Sequence, residues 1–232
     1  MGILLRVALP ERHLNGESRD VVKLGMGLVG TMAALVLGLL IASAKTSLDT
    51  QSAELTDMSS KIVLLDRILN HYGPETKEAR EQLRTSAEQA LYEMWPRERT
   101  DSRELNVWSH GSEFLYDKIE GLSPKDEVQR SVKVQALTVV MALGQIRWLI
   151  YEQRAASISM PLLIVLVFWI TAIFISFGLF APLNATVIAS LLVSALSVSS
   201  AIFLILEMYT SYAGLIHVSS APLRAALAQL GT

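Results

Sequence analysis

The 232-residue sequence contains no cysteine. Disulfides, thiolate metal sites, iron–sulfur clusters and cysteine nucleophiles are therefore excluded. Charged residues are also scarce, at 18% of the chain against roughly a quarter in soluble globular domains. The formal net charge is only −2, so the chain lacks the strong basic field that collects DNA or RNA. We therefore expect no nucleic-acid partner.

Catalytic and metal-binding patterns are missing as well. The sequence has no phosphate-binding loop, no HExxH pair and no nucleophile elbow. Its four histidines, His13, His71, His110 and His217, lack ligand-like spacing. The segment GMGLVG (25–30) matches a dinucleotide fingerprint, but it begins an apolar helix rather than following a strand. We expect no enzyme activity, no cofactor and no metal ion.

Two long stretches carry no charge. They cover 21 residues between Lys23 and Lys45 and 52 residues between Arg154 and Glu207. About 18 or more uncharged apolar residues can cross the hydrocarbon core as a helix. Pro182 and Asn184 predict a tight turn that divides the second stretch into an antiparallel hairpin. The sequence thus predicts an all-α membrane protein with three visible transmembrane helices, at 24–44, 159–180 and 184–206.

The remaining segments complete the predicted organisation. Residues 1–23 form a leading segment, 45–154 a helical aqueous domain between spans one and two, 155–206 the transmembrane hairpin, and 207–232 an interfacial or protein-packed tail. A heptad seam predicts that the first membrane helix continues into the aqueous domain and packs there. Its members are Leu48, Leu55, Ile62 and Leu69, interleaved with Met58, Leu65 and Tyr72. Gln51 occupies the place of the first interleaved apolar residue.

Further helices are predicted within the aqueous domain. One covers about 75–94, with Ala79, Leu83, Ala90 and Leu91 inward. A short one covers about 112–120 and buries Phe114, Leu115 and Ile119. A third begins at Ser123-Pro124, a capping residue followed by proline, and continues to about Ala155. Its apolar stripe is Val128, Val132, Ala136, Val139, Leu143, Ile146 and Ile150.

Small residues mark two span faces as candidate sites. Gly30, Ala34, Gly38 and Ala42 follow each other at a spacing of four, which suits either close helix packing or a pore wall ending at Lys45. A second face carries Ser190, Ser194 and Ser197. It suits close packing with the hydroxyls bonded to the preceding turn, or a polar lane for water or ions.

Phe174, Phe177 and Phe180 follow each other at a spacing of three in the second predicted span. They suit lipid-facing aromatics or a hydrophobic constriction in a pore. No Asp, Glu, Lys or Arg lies within any predicted span. Ion-coupled pumps place such charges on their pathways, so this absence argues against active transport while leaving a passive pore open.

Basic residues indicate the orientation. Lys45, Lys133, Arg147 and Arg154 flank the central domain, whereas the hairpin turn carries no charge. By the positive-inside rule the central domain is then cytoplasmic. Arg6, Arg12, Arg19 and Lys23 would lie outside, which counts against this orientation.

Several motifs resemble the bacterial bestrophin-like domain family, and the similarity extends from about residue 13 onward. They are SRDVVKLG (18–25), LVLGLLIASA (35–44), LLDR (64–67), YGPE (72–75), LGQIRW (143–148), YEQ (151–153), VFW (167–169), SFGLFAPLNATVI (176–188), LILE (204–207), GLI (214–216) and SSAPLR (219–224). The family pattern implies four spans, the first of them truncated here. The resemblance also implies a multi-pass protein of the bacterial inner membrane, remotely related to the pentameric bestrophin anion channels.

Two functional hypotheses remain open. The first is a homo-oligomeric passive channel, with anions favoured by a ring of Lys45 side chains at the end of the Gly30–Ala42 face. The second is a non-conducting membrane scaffold or sensor that binds an unidentified soluble partner through the aqueous helical domain. Both hypotheses place the protein in a lipid bilayer.

Overall fold

The computed structural model describes residues 16–95, 111–155, 159–180, 182, 184–209, 212 and 214–231. Within these ranges the chain is helical and contains no strand. The α-helices there are α1 (Gly16–Tyr72), α2 (Lys77–Met94), α3 (Gly111–Glu120), α4 (Glu127–Ala155), α5 (Met160–Phe180), α6 (Ala185–Met208) and α7 (Ala221–Gln229). Most of the predicted leading segment, residues 1–15, lies outside the described residues.

The chain divides into two units. The first, here called the membrane unit, consists of Met1–Ser47 and Ser157–Tyr209. The second unit consists of Leu48–Ala156 and Thr210–Thr232. Helix α1 supplies residues to both units, because it is continuous over 57 residues.

The heptad seam of α1 forms the core of the second unit, as predicted. All its members from residue 55 onward are buried, and Leu48 is partly buried against the same cluster. The fully buried positions, with no exposed side-chain surface, are Leu55, Leu65 and Leu69. Gln51 is also buried, so this amide is a polar member of the seam rather than a break in it.

The end of α1 follows from local chemistry. Gly73 adopts φ 132, a left-handed backbone value that favours glycine, and Pro74 then begins a 3₁₀ turn over Pro74–Thr76. The Thr76 hydroxyl donates a hydrogen bond to the Leu69 carbonyl at 2.6 Å, which satisfies a carbonyl in the last turn of α1. Helix α2 therefore begins two residues later than predicted. Its inward residues are confirmed as buried: Ala79, Leu83, Ala90 and Leu91.

Two predicted core residues are exposed instead. The Phe114 side chain is 48% exposed, and the Lys118 ammonium group lies over its ring, 5.4 Å from the ring centroid. This cation–π contact is made at the surface. Val128 is 62% exposed, because α4 begins at Glu127 and Val128 therefore lies in its first turn.

The start of α4 differs from the prediction. The cap is Asp126 rather than Ser123, since its Oδ1 accepts a hydrogen bond from the Gln129 backbone N–H at 2.7 Å. A carboxylate at this point also faces the positive end of the helix dipole, which favours it over a hydroxyl. The helix ends at Ala155 as predicted, and the buried members of its stripe are Val132, Ala136, Ile146 and Ile150.

Four helices of the described chain are long and apolar enough to cross a membrane, one more than the three spans predicted. The additional candidate lies in α4, over Glu127–Gln153. Its apolar window is 22% buried, against 6% for the windows of α5 and α6. The apolar character of α4 is therefore partly explained by packing into the second unit, which the spans of the membrane unit do not share.

The membrane unit is built from the first part of α1 and the helices α5 and α6. Asn184 caps α6 by accepting a hydrogen bond from the Val187 N–H at 2.8 Å, so the predicted turn also begins a helix. A small buried cluster holds the unit together, formed by Ala33, Leu40, Ala44, Leu166 and Ile205. The chain is thus an all-α membrane protein.

The C-terminal tail packs within the second unit. The Trp95 indole N–H donates to the Val218 carbonyl at 2.9 Å, and the Trp95 ring meets Tyr212 edge to face at 5.5 Å. In α7, Leu223 has no exposed side-chain surface. The described part of the tail thus packs against other helices of the second unit.

Charge pairs join the helices of the second unit. The Lys125 ammonium group donates a hydrogen bond to the Glu75 carboxylate, and Lys118 does the same to Glu78. Each hydrogen bond holds the pKa of its glutamate below the ordinary value. The most enclosed pair is Arg80 with Asp66. Arg80 Nε lies 2.7 Å from Asp66 Oδ1 and Nη2 lies 3.0 Å from Oδ2, and this bidentate contact raises the pKa of Arg80 further.

Asp66→Asn is expected to destabilise the second unit. The Asp66 side chain is 8% exposed and Arg80 is 24% exposed, so the substitution leaves a half-buried guanidinium without its countercharge. We expect a loss of ~1–3 kcal/mol, below the range for fully buried pairs because water reaches Arg80. The full chain in detergent should show an apparent melting temperature several degrees lower by tryptophan fluorescence.

Asp57→Asn is the matched control. Asp57 pairs with Lys61 one turn away on the same helix, and its side chain is 50% exposed. Such a surface pair contributes ~0.3–0.5 kcal/mol, so the melting temperature should change by only about 1–2 °C. Equal melting temperatures for the two variants would contradict a special role for the Asp66–Arg80 contact.

Candidate functional site

The small-residue stripe of α1 turns gradually around the helix. Each step of four residues advances about 40°, because an α-helix has 3.6 residues per turn. The stripe therefore begins beside α5 at Gly30 and turns away from α5 towards Ala42. A Cβ placed on Gly30 would meet Ile173 Cδ1 at 3.9 Å, whereas a Cβ on Gly38 would meet nothing within 4 Å.

The rest of the stripe is open to the surface among the residues that the structure describes. Ala34, Gly38 and Ala42 are all exposed in the protomer. The face that packs inside the membrane unit is a different one, formed by Ala33, Leu40 and Ala44. Of the two glycines in the stripe, Gly30 lies beside α5 and Gly38 has open space around it in the part of the chain that the structure describes. Three small residues are left on an open helix face.

Lys45 continues this open face. It lies eleven residues after Ala34 and seven after Gly38, which places it about 20° from each around the helix. Its side chain is exposed. The structure thus brings together, along one line of α1, a groove of small side chains and a lysine at the end of the span.

Ser190, Ser194 and Ser197 of α6 are also exposed, and the hydroxyl groups of Ser194 and Ser197 donate hydrogen bonds. Ser194 donates to the Ser190 carbonyl and Ser197 to the Val193 carbonyl, each at 2.9 Å. Ser200 makes the same bond to Leu196 at 2.8 Å. Their hydroxyls therefore present oxygen lone pairs, rather than protons, to whatever lies outside the helix.

The three phenylalanines of α5 do not point to one place. The Phe174 and Phe177 rings meet edge to face at 6.5 Å. Phe174 lines an open groove of about 430 Å³ between α5 and α6, together with Val198 and Ile202. Phe177 and Phe180 line a separate cavity of about 490 Å³ between α1 and α5. Within one protomer the three rings thus do not close a single constriction.

The cavity between α1 and α5, here called the α1–α5 cavity, was not expected from the sequence. Arg19 and Lys23 line one end of it, and Gly27 and Gly30 line its α1 wall. The signal in the sequence was a basic pair four residues apart, followed at helical spacing by two glycines.

A polar contact between α1 and α4 was also missed. The Gln153 amide donates to Glu54 Oε1 at 2.6 Å in the second unit. Gln51, one turn before Glu54, is 4% exposed. The polar residue at Gln51 in an otherwise apolar seam is the one sequence feature near this contact.

A line of exposed apolar side chains, here called the exposed seam, lies on α4. Val134, Met141 and Trp148 are spaced by seven and are 60%, 53% and 64% exposed. The Trp148 and Tyr151 rings lie 5.9 Å apart beside its far end. In the part of the chain that the structure describes, no group of three or more His, Asp or Glu side chains is placed to hold a metal ion.

Comparison with known proteins identifies the family. The family model described as a Bestrophin-like domain matches residues 1–223. No curated protein and no solved structure matches the chain. The match covers nearly the whole sequence and agrees with the resemblance found in its motifs. The chain therefore belongs to the bestrophin-like family.

Proposed function

We propose that this member of the bestrophin-like family assembles into a homo-oligomer that conducts ions passively and prefers anions. The observation that carries the proposal is the open face of α1, where Ala34, Gly38 and Ala42 are exposed and Lys45 continues their line. We further propose that the protein lies in the bacterial inner membrane, with the second unit cytoplasmic, and that it has no enzymatic activity.

The small residues favour contact with another copy of the chain. In lipid, helices associate where small side chains let backbones approach closely, because the surrounding hydrocarbon gives no hydrophobic driving force. Gly38 has open space around it in the protomer, so a neighbouring helix can come close without displacing anything. Repetition of the same contact around an axis would place one copy of α1 from each protomer near that axis.

Lys45 supplies the preference for anions. In a closed ring, each protomer would contribute one Lys45 side chain to the mouth of the pore. A ring of positive charge raises the local concentration of anions and repels cations. For Ser194 and Ser197 of α6, a packing role is favoured over an anion lane, because their hydroxyl protons already bond carbonyl groups of the preceding turn.

The transport would be passive. The sequence has no charged residue between Lys23 and Lys45 or between Arg154 and Glu207. Coupled transporters place ionisable side chains within their spans to carry protons or to pair with ions. A channel needs no such group, because hydrophobic side chains can gate a pore by dewetting it.

A scaffold or sensor without conduction is the alternative function. It is favoured by the exposed seam of Val134, Met141 and Trp148 on α4. An apolar line at heptad spacing on a helix suits docking of another amphipathic helix, from a soluble partner. A pull-down with the full-length protein, compared with a Met141→Glu variant, distinguishes the two because a channel needs no such partner.

The mass of the assembly in nanodiscs tests the proposal. A closed ring of four or more copies would support it, since a shared pore needs several helices around one axis. A monomer or a simple dimer would contradict it, because neither leaves room for an axial pore.

A further inference from the structure

The α1–α5 cavity has a polar end and an apolar body. Arg19 and Lys23 lie at one end. Most of the remaining lining is apolar, including Ile173 and Phe177 from α5. Its volume of about 490 Å³ falls within the range of small-molecule pockets, roughly 300–1,000 Å³.

The two glycines make the space. Gly27 and Gly30 lie on the same side of α1 as Arg19 and Lys23, since these residues are spaced by three or four. A Cβ on Gly27 would meet nothing within 4 Å, and one on Gly30 would meet only Ile173 Cδ1 at 3.9 Å. The absence of two side chains therefore leaves a slot along α1, directly after the basic pair.

The position of the cavity relative to the membrane interface is that expected for a bound lipid. Lys23 is the last charged residue before the first span, and Phe180 and Pro182 from the hairpin turn lie at the same cavity. Basic residues and aromatic rings are typical of the membrane interface. The basic end is thus at the level of the lipid headgroups, and the apolar slot extends from there along the span.

We propose that this cavity binds one anionic phospholipid. Arg19 and Lys23 hold its phosphate, and part of an acyl chain lies in the slot beside Gly27 and Gly30. Asp20 lies near this end, 3.8 Å from Lys23, but its side chain is 76% exposed and the pair is accordingly weak. A phosphate therefore replaces it as the partner of Lys23. The proposal does not depend on ion conduction.

The test measures retained lipid on the full chain. The protein is delipidated in detergent, incubated with equal amounts of phosphatidylglycerol and phosphatidylcholine, and analysed by native mass spectrometry. Retention of phosphatidylglycerol should exceed that of phosphatidylcholine by about tenfold or more, because two basic side chains attract a lipid with a net negative charge, whereas the choline ammonium group of phosphatidylcholine offsets the charge of its phosphate. Arg19→Gln combined with Lys23→Gln should reduce this ratio to about one.

A second variant tests the slot. Gly27→Leu fills the cavity from α1 and should reduce retention of both lipids at least several-fold. Gly25→Leu is its matched control, since Gly25 is exposed, lies outside the cavity lining and also has nothing within 4 Å of its Cβ position. It should bind both lipids as the unaltered chain does.

Three results would overturn the proposal. The first is equal retention of the two lipids by the unaltered protein. The second is displacement of the lipid by soluble glycerol phosphate, which would indicate a site for free phosphate esters. The third is binding that is seen only after residues 2–9 are deleted, which would make that segment of the chain the occupant. Whether or not the protein retains the lipid, the result does not decide whether the protein conducts ions.

Discussion

Lys45→Glu is expected to reverse the ion preference of the reconstituted protein from anions to cations. Lys45 is exposed and continues the open face of α1, so a ring would carry one such charge per subunit. A unit charge about 10 Å from a permeating ion contributes ~1.7 kcal/mol at an effective dielectric constant of 20. Reversing the sign in every subunit should thus change the anion-to-cation permeability ratio by tenfold or more.

The measurement is the reversal potential of the current across a planar bilayer with a KCl gradient. Its sign should change in the Lys45→Glu variant. Lys77→Glu is the control, because Lys77 is an exposed residue of the second unit at the start of α2, where glutamate is well tolerated. An unchanged reversal potential in Lys45→Glu would mean that the ion path does not pass Lys45.

Gly38→Leu is expected to break the assembly while leaving the protomer folded. Nothing in the protomer lies within 4 Å of a Cβ at this position, so leucine fits there without strain. Leucine would, however, hold a neighbouring α1 away from the small-residue groove. We expect each helix contact to weaken by about 1.4 kcal/mol or more, which is about tenfold in the dissociation constant.

The measurement is the mass of the complex in nanodiscs, with helix content from circular dichroism as a check on folding. Gly25→Leu is the control, because it adds the same side chain to an exposed position on the other side of α1. It should assemble as the unaltered protein does. Full-sized rings in Gly38→Leu would show that α1 does not form the interface between copies.

The helices were well predicted from the sequence because their periods are regular. The heptad from Leu48 to Leu69 predicted both the continuation of α1 and its buried face. The limits of α5 and α6 followed from the charge-free stretch and from the turn at Pro182 and Asn184. The start of α4 was predicted wrongly because a local interaction decides it: Asp126 caps the helix in place of Ser123.

The candidate site was harder to predict because sequence spacing does not say what faces a helix. The stripe from Gly30 to Ala42 was found, but its slow rotation divides it between α5 and open surface. The helical period by itself predicts that the three phenylalanine side chains point in different directions. Each step of three residues turns a helix by about 60° backwards, so Phe174 and Phe180 point about 120° apart. The α1–α5 cavity needed the structure, since it depends on how α5 lies beside Gly27 and Gly30.

Current through the purified, unaltered protein in planar bilayers tests the central claim most directly. The account predicts currents that need no energy source and a reversal potential that follows the chloride gradient. Silence across chloride, other anions and cations, with the protein present as intact oligomers, would contradict the account and favour the scaffold function.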